Sequence, residues 1–180
     1  MLDDLSLHIL DVAENGVNAG AGKVSIEIDH RGDLLKLVVG DNGRGMDEET
    51  VKAVTNPFYT TRTERRVGLG LPFLKQLAEL CEGDFSVVSA PGKGTVITAS
   101  FMMSSVDAPP LGDIPSTLFT LFLGYPDVTW DYIHRRNDNE FILNSDELKE
   151  ALGGGNPFAD PSLSMAIKEF METNLAALYE

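Results

Sequence analysis

Four side chains able to do chemistry recur near the start of the chain. His8, Asp11, Asn15 and Asn18 stand at spacings of three, four and three, which a helix brings onto one face. A strip of one carboxylate and two amides can ligate a hard cation through oxygen and still leave a carboxylate to orient a water. The wet side of an ordinary amphipathic helix has the same look. A second group is Asp41, Asn42, Gly43, Arg44, Gly45 and Met46. Two glycines two apart allow a tight turn with close backbone approach, and an acid at the end of a buried strand needs something to donate to it. A purine exocyclic amine is one such donor; a plain hairpin-exit turn with a capping aspartate is the alternative. Third, Val67, Gly68, Leu69, Gly70 and Leu71 follow Thr60, Thr61, Arg62, Thr63, Glu64, Arg65 and Arg66. Glycines at a helix start leave backbone N–H groups facing an anion, the helix dipole favours negative charge there, and arginines add charge-assisted donors, which together suit a polyphosphate. Fourth, Gly92, Lys93, Gly94 and Thr95 make a glycine-rich turn into a strand.

Regular elements must hold these groups. Leu5, Ile9, Leu10, Val12, Ala13 and Val17 follow a helical period from Leu5 to Ala19, with Asp3 or Asp4 available as cap. Lys23 to Asp29 alternates strictly, and Leu34 to Val39 follows after a turn of His30, Arg31, Gly32 and Asp33, predicting a β-hairpin. Asp47 to Val54 predicts a short helix capped by Asp47, and Leu69 to Cys81 a longer one ended by Gly83. Phe85 to Ser89 and Thr95 to Met103 predict a second strand pair. Residues 105–115, rich in proline and small residues, read as a linker, dividing residues 1–104 from an extension at 116–180. In that extension Ser116 to Gly124 is apolar, and Val128 to Arg136 with Glu140 to Asn144 predicts a hairpin. Ser145 to Leu152 predicts a helix capped by Ser145, and Pro161 to Leu178 a longer amphipathic one. The four strands of the first part would leave free sheet edges, so the later hairpin either extends that sheet or pairs with a second subunit. The tail aromatics Phe119, Phe122, Tyr125, Trp130, Tyr132, Phe141, Phe158 and Phe170 fit a core, a partner surface or a dimer interface.

Composition removes several classes of function. The 180 residues are 43% hydrophobic and 23% charged, as in a globular protein able to build its own core. Apolar runs such as Leu118 to Leu123 fall well short of the roughly 20 residues that span a bilayer, so no membrane association is expected and the localisation expected is cytoplasmic. A lone cysteine, Cys81, makes neither an internal disulfide nor a zinc site. The formal charge of −14 argues against nucleic acid as a partner, because phosphate backbones require a basic footprint. Residues 1–105 hold 10 basic and 15 acidic side chains, and residues 106–180 hold 4 and 13. The acidic tail can hold a basic partner or serve as a solvated surface.

The order of these boxes carries more than any one of them. A helix with Asp11 and Asn15, a strand pair, DNGRG, NPFYTTR, GLGL on a helix and GKGT on a strand resembles the nucleotide site shared by DNA gyrase, heat-shock chaperone ATPases, histidine kinases and MutL-type mismatch-repair ATPases. This is the GHKL, or histidine-kinase-like ATPase, superfamily, and the resemblance covers about residues 2–103. It implies an α/β two-layer sandwich, a mixed sheet with helices on one face, and ATP with Mg²⁺ as ligands. Asn15 would match the metal ligand and Asp41 the acceptor of the adenine amine. Gly43 and Gly45 would shape the adenine wall, with Met46 packing near the base. Pro57, Phe58, Thr60 and Thr61 match the box that hinges the lid, and Arg62 a phosphate contact; Arg65 and Arg66 would be lid charges. Gly68 and Gly70 match the phosphate-facing glycines, with Leu69 and Leu71 in the same box, and Thr95 the hydroxyl beside the aspartate.

Two departures shape the expected activity. ATPases of this superfamily place a glutamate as general base four residues before the metal asparagine, and here that position is Asp11, one methylene shorter and the candidate catalytic residue. Where histidine kinases carry a basic residue, Asn18 stands. The nucleotide-site helix begins almost at Met1, which leads us to expect a stand-alone domain without a phosphoacceptor dimerisation hairpin. His8 is then a neighbour of the site or a surface residue rather than a phosphoacceptor, His30 lies in a turn, and His134 has no evident nucleophile or metal partner. The tail has only Lys149 and Lys168, so a transducer domain supplying a phosphate-sensing lysine is not expected. The reading is an Mg-ATP-binding regulator of a protein partner, acting by phosphoryl transfer or by a nucleotide-driven lid change. An ATPase or protein kinase and a nucleotide-gated binding module with negligible turnover both stay open.

Overall fold

The computed structural model describes residues 4–56, 58 and 70–180. Helix α1 (Leu5–Asn18) starts where Asp4 Oδ1 accepts the Leu7 N–H at 3.1 Å, satisfying one of the donors a helix start leaves free. Its buried residues Leu5, Ile9, Val12, Ala13 and Gly16 form one stripe, which packs on strands β1 (Lys23–Arg31) and β2 (Leu34–Asp41). Helix α2 (Glu48–Val54) is capped by Asp47 and has no buried residue. Helix α3 (Gly70–Leu80) buries Leu71, Leu74 and Ala78 against strands β3 (Phe85–Ser89) and β4 (Thr95–Met102).

Six strands form one mixed sheet in the order β3-β4-β2-β1-β5-β6, where β5 is Thr129–Arg136 and β6 is Asn139–Asn144. All neighbours are antiparallel except β1 and β5, which run parallel with Ile26 beside Tyr132. The later hairpin therefore extends the sheet of the first half. Alternation decides the faces. Val24, Ile26 and Ile28, Leu35, Leu37 and Val39, Ile97, Ala99 and Phe101, Trp130, Tyr132 and His134 are all buried, while Ser25, Lys36 and Val96 on the opposite face are exposed. This is the two-layer α/β arrangement expected.

Residues 104–113 are tied to the body. Pro110 and Leu111 carbonyls accept the Leu5 and Ser6 N–H groups, each at 3.0 Å, so this stretch satisfies two more donors at the start of α1. Ile114 and Pro115, assigned by sequence to the connecting stretch, are the first turn of α4 (Ile114–Gly124), where proline costs no helical hydrogen bond. Helix α4 packs on α1 and on α6 (Pro161–Ala177). Phe122 lies 5.3 Å from Phe158, in a single 3-10 turn at Pro157–Ala159, and 6.2 Å from Trp130. Most of the tail aromatics thus build core, whereas Phe170 is 46% exposed.

Two local expectations change. His30 belongs to β1 rather than to a turn, because the hairpin closes on Gly32 (φ 57°) and Asp33, a tight turn that leaves His30 paired with Leu35. The cap of α5 (Ser145–Ala151) is Asn144, whose Oδ1 accepts the Asp146 and Glu147 N–H groups. Ser145 is fully buried instead, its Oγ accepting the Trp130 N–H at 2.9 Å.

Candidate functional site

At one end of the sheet Asp41 closes β2 directly opposite Thr95, the first residue of β4. Both continue the rows whose other members, Val39 and Ile97, point into the core, so the carboxylate and the hydroxyl lie at the rim of the helix-covered face. Gly16 of α1 makes room for this: a Cβ there would come within 2.9 Å of the Asp41 Cβ. Asp41 Oδ1 accepts the Gly43 N–H at 2.8 Å, which orients the carboxyl group.

The loop after Asp41 is stitched to both flanks. Asn42 Oδ1 accepts the Gly22 and Lys23 N–H groups at 2.9 Å each, joining the loop to the entry of β1. The Arg44 N–H donates to the Ala19 carbonyl at 2.9 Å, and the Gly92 N–H donates to the Arg44 carbonyl at 2.7 Å. Gly45 (φ 68°) passes so close to the Ala90 carbonyl that a Cβ would overlap it, and Gly94 (φ 75°) lies equally tight on the Asp41 carbonyl. These two positions need glycine both for conformation and for approach. Ser89 Oγ accepts the Met46 N–H at 2.8 Å, donates to the Gly94 carbonyl at 2.9 Å, and lies 2.9 Å from Thr95 Oγ1. Met46 itself is half-buried.

The second half of the site is where α1 meets the start of α3. Asp11 faces Gly70 so closely that a Cβ on Gly70 would overlap Asp11 Oδ2. That oxygen is buried and has no hydrogen-bond partner among the described residues. A buried carboxylate oxygen is costly in a folded chain unless something donates to it. Asn15 follows one helical turn later and is exposed, as is Asn18; His8 is half-buried. Leu71, by contrast, is core, 6% exposed.

The structure therefore brings together Asp41, Gly43, Gly45, Met46 and Thr95 as one group, and Asp11 and Gly70 as another, with Asn15 one turn from Asp11. Phe58 is 91% exposed, its N–H donating to Asn56 Oδ1 at 2.9 Å. Pro57, Thr60, Thr61, Arg62, Arg65, Arg66, Gly68 and Leu69 lie outside the described residues. Three contributors escaped the sequence reading: Gly16, Asn42 as a clamp, and Ser89. A serine ending one strand opposite a threonine starting the next was a visible signal for Ser89. The need for glycine at position 16 is set only by how closely α1 crosses Asp41.

The C-terminal part touches this helix directly. Tyr125 O–H donates to Glu14 Oε1 at 3.0 Å, beside Asn15, and Thr117 Oγ1 donates to the Ser6 carbonyl at 3.4 Å. Desolvation, with the Glu14 carboxylate second, pushes the Tyr125 hydroxyl pKa up, so it remains a donor at neutral pH. Among the described residues no helix is long and apolar enough to cross a membrane.

Comparison with known proteins agrees with this arrangement. A family model described as histidine kinase-, DNA gyrase B-, and HSP90-like ATPase matches residues 2–105. A putative sensor protein of Shewanella frigidimarina is 32% identical over 107 residues, 59% of this chain and 16% of the relative. Sporulation kinase C of Bacillus subtilis is 31% identical over 105 residues, 57% of this chain and 24% of the kinase. The sensor histidine kinase ZraS of Klebsiella oxytoca is 32% identical over 99 residues, 53% and 21% respectively. The match thus spans less than a quarter of the length of each of these relatives. In fold, the chain resembles the crystal structure of the N-terminal domain of a DNA repair protein, with TM-score 0.57 at 14% identity over 78% of this chain and 51% of that one. With the family model matching more than half of its length, the chain belongs to the histidine kinase-, DNA gyrase B- and HSP90-like ATPase family and carries that family's ATP-binding domain.

Proposed function

We propose that the chain binds Mg-ATP between the Asp41 loop and the start of α3 and uses it to regulate a protein partner. The observation that carries this reading is the buried Asp11 Oδ2 against Gly70 of α3, without a hydrogen-bond donor among the described residues. A polar atom left in that state is prepared for something that arrives. The orientation of Asp41 by Gly43 N–H and the glycine-lined loop beside it supply the other end of the site.

In this reading Asp41 accepts the adenine amine while Gly43 and Gly45 let backbone approach the base and Met46 packs against it. Thr95 Oγ1, held by Ser89, orients a polar contact beside Asp41. Backbone N–H groups at the Gly70 end of α3 face the phosphates, with Arg62 and the Thr60 and Thr61 hydroxyls as further donors from the lid segment. Asn15 offers an amide oxygen to the cation, which when bound neutralises phosphate charge. Asp11 orients a water or an acceptor hydroxyl and takes its proton. The kinase names of the relatives support phosphoryl transfer. The shorter carboxylate of Asp11 supports the second reading, a nucleotide-gated module with little turnover.

The test is to incubate the protein with γ-labelled ATP and Mg²⁺ and follow the label, alongside a binding titration. Label in phosphate or protein makes the chain an enzyme, and Asp11→Asn then lowers turnover by roughly 10²- to 10⁴-fold with ATP affinity kept. Tight binding with the label left in ATP makes it a gated module. Asp41→Asn replaces one accepting oxygen with a donor and is expected to abolish adenine selectivity; unchanged ATP affinity in that variant would overturn the site.

A further inference from the structure

The face between α5 and α6 holds an apolar groove of about 230 Å³, lined by Leu148, Leu152, Leu163, Ala166, Ile167 and Phe170. Ile167 is its buried floor, Phe170 and Leu152 are walls 46% and 36% exposed, and the small Ala166 side chain leaves it open. The lining contains no polar side chain that would orient a small ligand, and the volume lies below the roughly 300–1,000 Å³ of ordinary small-molecule pockets. It is the size for a few apolar side chains.

Charge identifies their carrier. From Ser145 to Glu180 there are seven carboxylates and two lysines. Of the two lysines, Lys149 is engaged elsewhere, donating to the Pro126 carbonyl at 2.6 Å and to Asp146. Glu147 and Glu150 on α5, and Glu169 and Glu172 on α6, are exposed. Glu169 lies one helical turn from Ala166, so an exposed carboxylate stands beside the groove on α6, and α5 carries Glu147 in the turn that also holds Leu148. A second copy of the chain would bring the same acidic rim against this one, and like charges facing each other oppose association.

We infer that this groove docks a basic amphipathic helix of a protein partner, apolar anchors at helical spacing entering the groove and lysines or arginines meeting the rim. This deepens the regulatory reading above by naming the partner's chemistry and rests on its claim of a protein partner, but it does not depend on the nucleotide site.

The probe is a fluorescein-labelled Leu/Lys peptide with leucines at helical spacing, titrated by anisotropy into the full chain, with a Leu/Glu peptide of the same pattern beside it. The Leu/Lys peptide is expected to bind and to weaken with salt, and the Leu/Glu peptide not to bind. Ala166→Trp, which fills the groove from an exposed position, and the charge reversal Glu147→Lys with Glu169→Lys are each expected to weaken binding at least about tenfold. Glu48→Lys with Glu49→Lys on α2, which packs near β3 at the opposite edge of the sheet, leaves it unchanged. Leu152→Glu repeats the block should the tryptophan disturb folding, which circular dichroism reports. Equal binding to wild type and to both groove-blocked proteins, or equal binding of both peptides, overturns the proposal. So does sedimentation showing a dimer that Ala166→Trp dissolves, which would make the occupant a second copy. An ATP titration of Ala166→Trp with unchanged affinity separates a failure of the groove from a failure of the nucleotide site.

Discussion

Replacing His134 with glutamine should remove most of a pH dependence written into the core. His134 lies on the inner face of β5, fully buried, with Nδ1 2.8 Å from the Tyr132 hydroxyl and Nε2 2.9 Å from the Tyr179 hydroxyl. The neutral ring has one donor and one acceptor for these two groups. Among the described residues no carboxylate bonds to it, and burial first and the His30 charge second lower its pKa to about 4. An unfolded chain would take up the proton near pH 6.5. The folded state therefore binds fewer protons between these values, so the stability His134 contributes is complete above about pH 6.5 and is lost as pH falls toward 4. The shift amounts to about 3 kcal/mol in all, of which about 2 kcal/mol is gone by pH 5.

Glutamine keeps a donor and an acceptor for the two tyrosines but does not titrate. Urea unfolding of both proteins from pH 7.5 to 5.0, above the sequence pI of about 4.5, is followed through Trp130, the single tryptophan and 1% exposed. The His30 pKa is also lowered, by burial and then Arg136; His30 is present in both proteins, so its effect largely cancels in the difference. Wild type is expected to lose about 2 kcal/mol more than the variant across this range. Stability curves parallel in pH would refute the reasoning, since they would mean that the ring takes its proton without penalty.

Gly45→Ala forces a side chain into positive φ and onto the Ala90 carbonyl, and is expected to cost about 2–4 kcal/mol in urea unfolding and to weaken ATP binding with it; a neutral effect on both would show that the loop yields freely. Ser145→Ala leaves the buried Trp130 N–H without its acceptor, a loss of about 1–3 kcal/mol that hydrogen exchange at that amide should report as lost protection. Burial pushes the Cys81 thiol pKa up and leaves the side chain fully inaccessible, so an aromatic disulfide reagent should react with it in denaturant and not in the native protein.

Local signals were enough for most elements. The period of two at Lys23 to Asp29, the period near 3.6 along Leu5 to Ala19 and the cap at Asp47 all work within a few residues, and each corresponds to an element observed. The errors arose where a distant residue chose between two local options. Ser145 and Asn144 are both good caps; the approach of the Trp130 N–H takes Ser145 and leaves the cap to Asn144. His30 was compatible with turn or strand until the two-residue turn at Gly32 and Asp33 set the register. Ile114 and Pro115 read as linker because proline is ambiguous between a chain passing by and the first turn of a helix.

The sequence by itself determined the ordered nucleotide-site boxes, the strands and helices that carry them, and the surplus of acid in the tail, because each is a matter of residue type at short spacing. Tertiary structure alone decided that β5 runs parallel beside β1, joining the tail to the same sheet, a pairing of strands more than a hundred residues apart that no local pattern encodes. It alone placed Gly16 under Asp41, Ser89 between Met46 and Thr95, and Gly70 against Asp11. Those approaches are set by how closely packed elements cross, and packing distance is a property of the assembled core rather than of any stretch of chain.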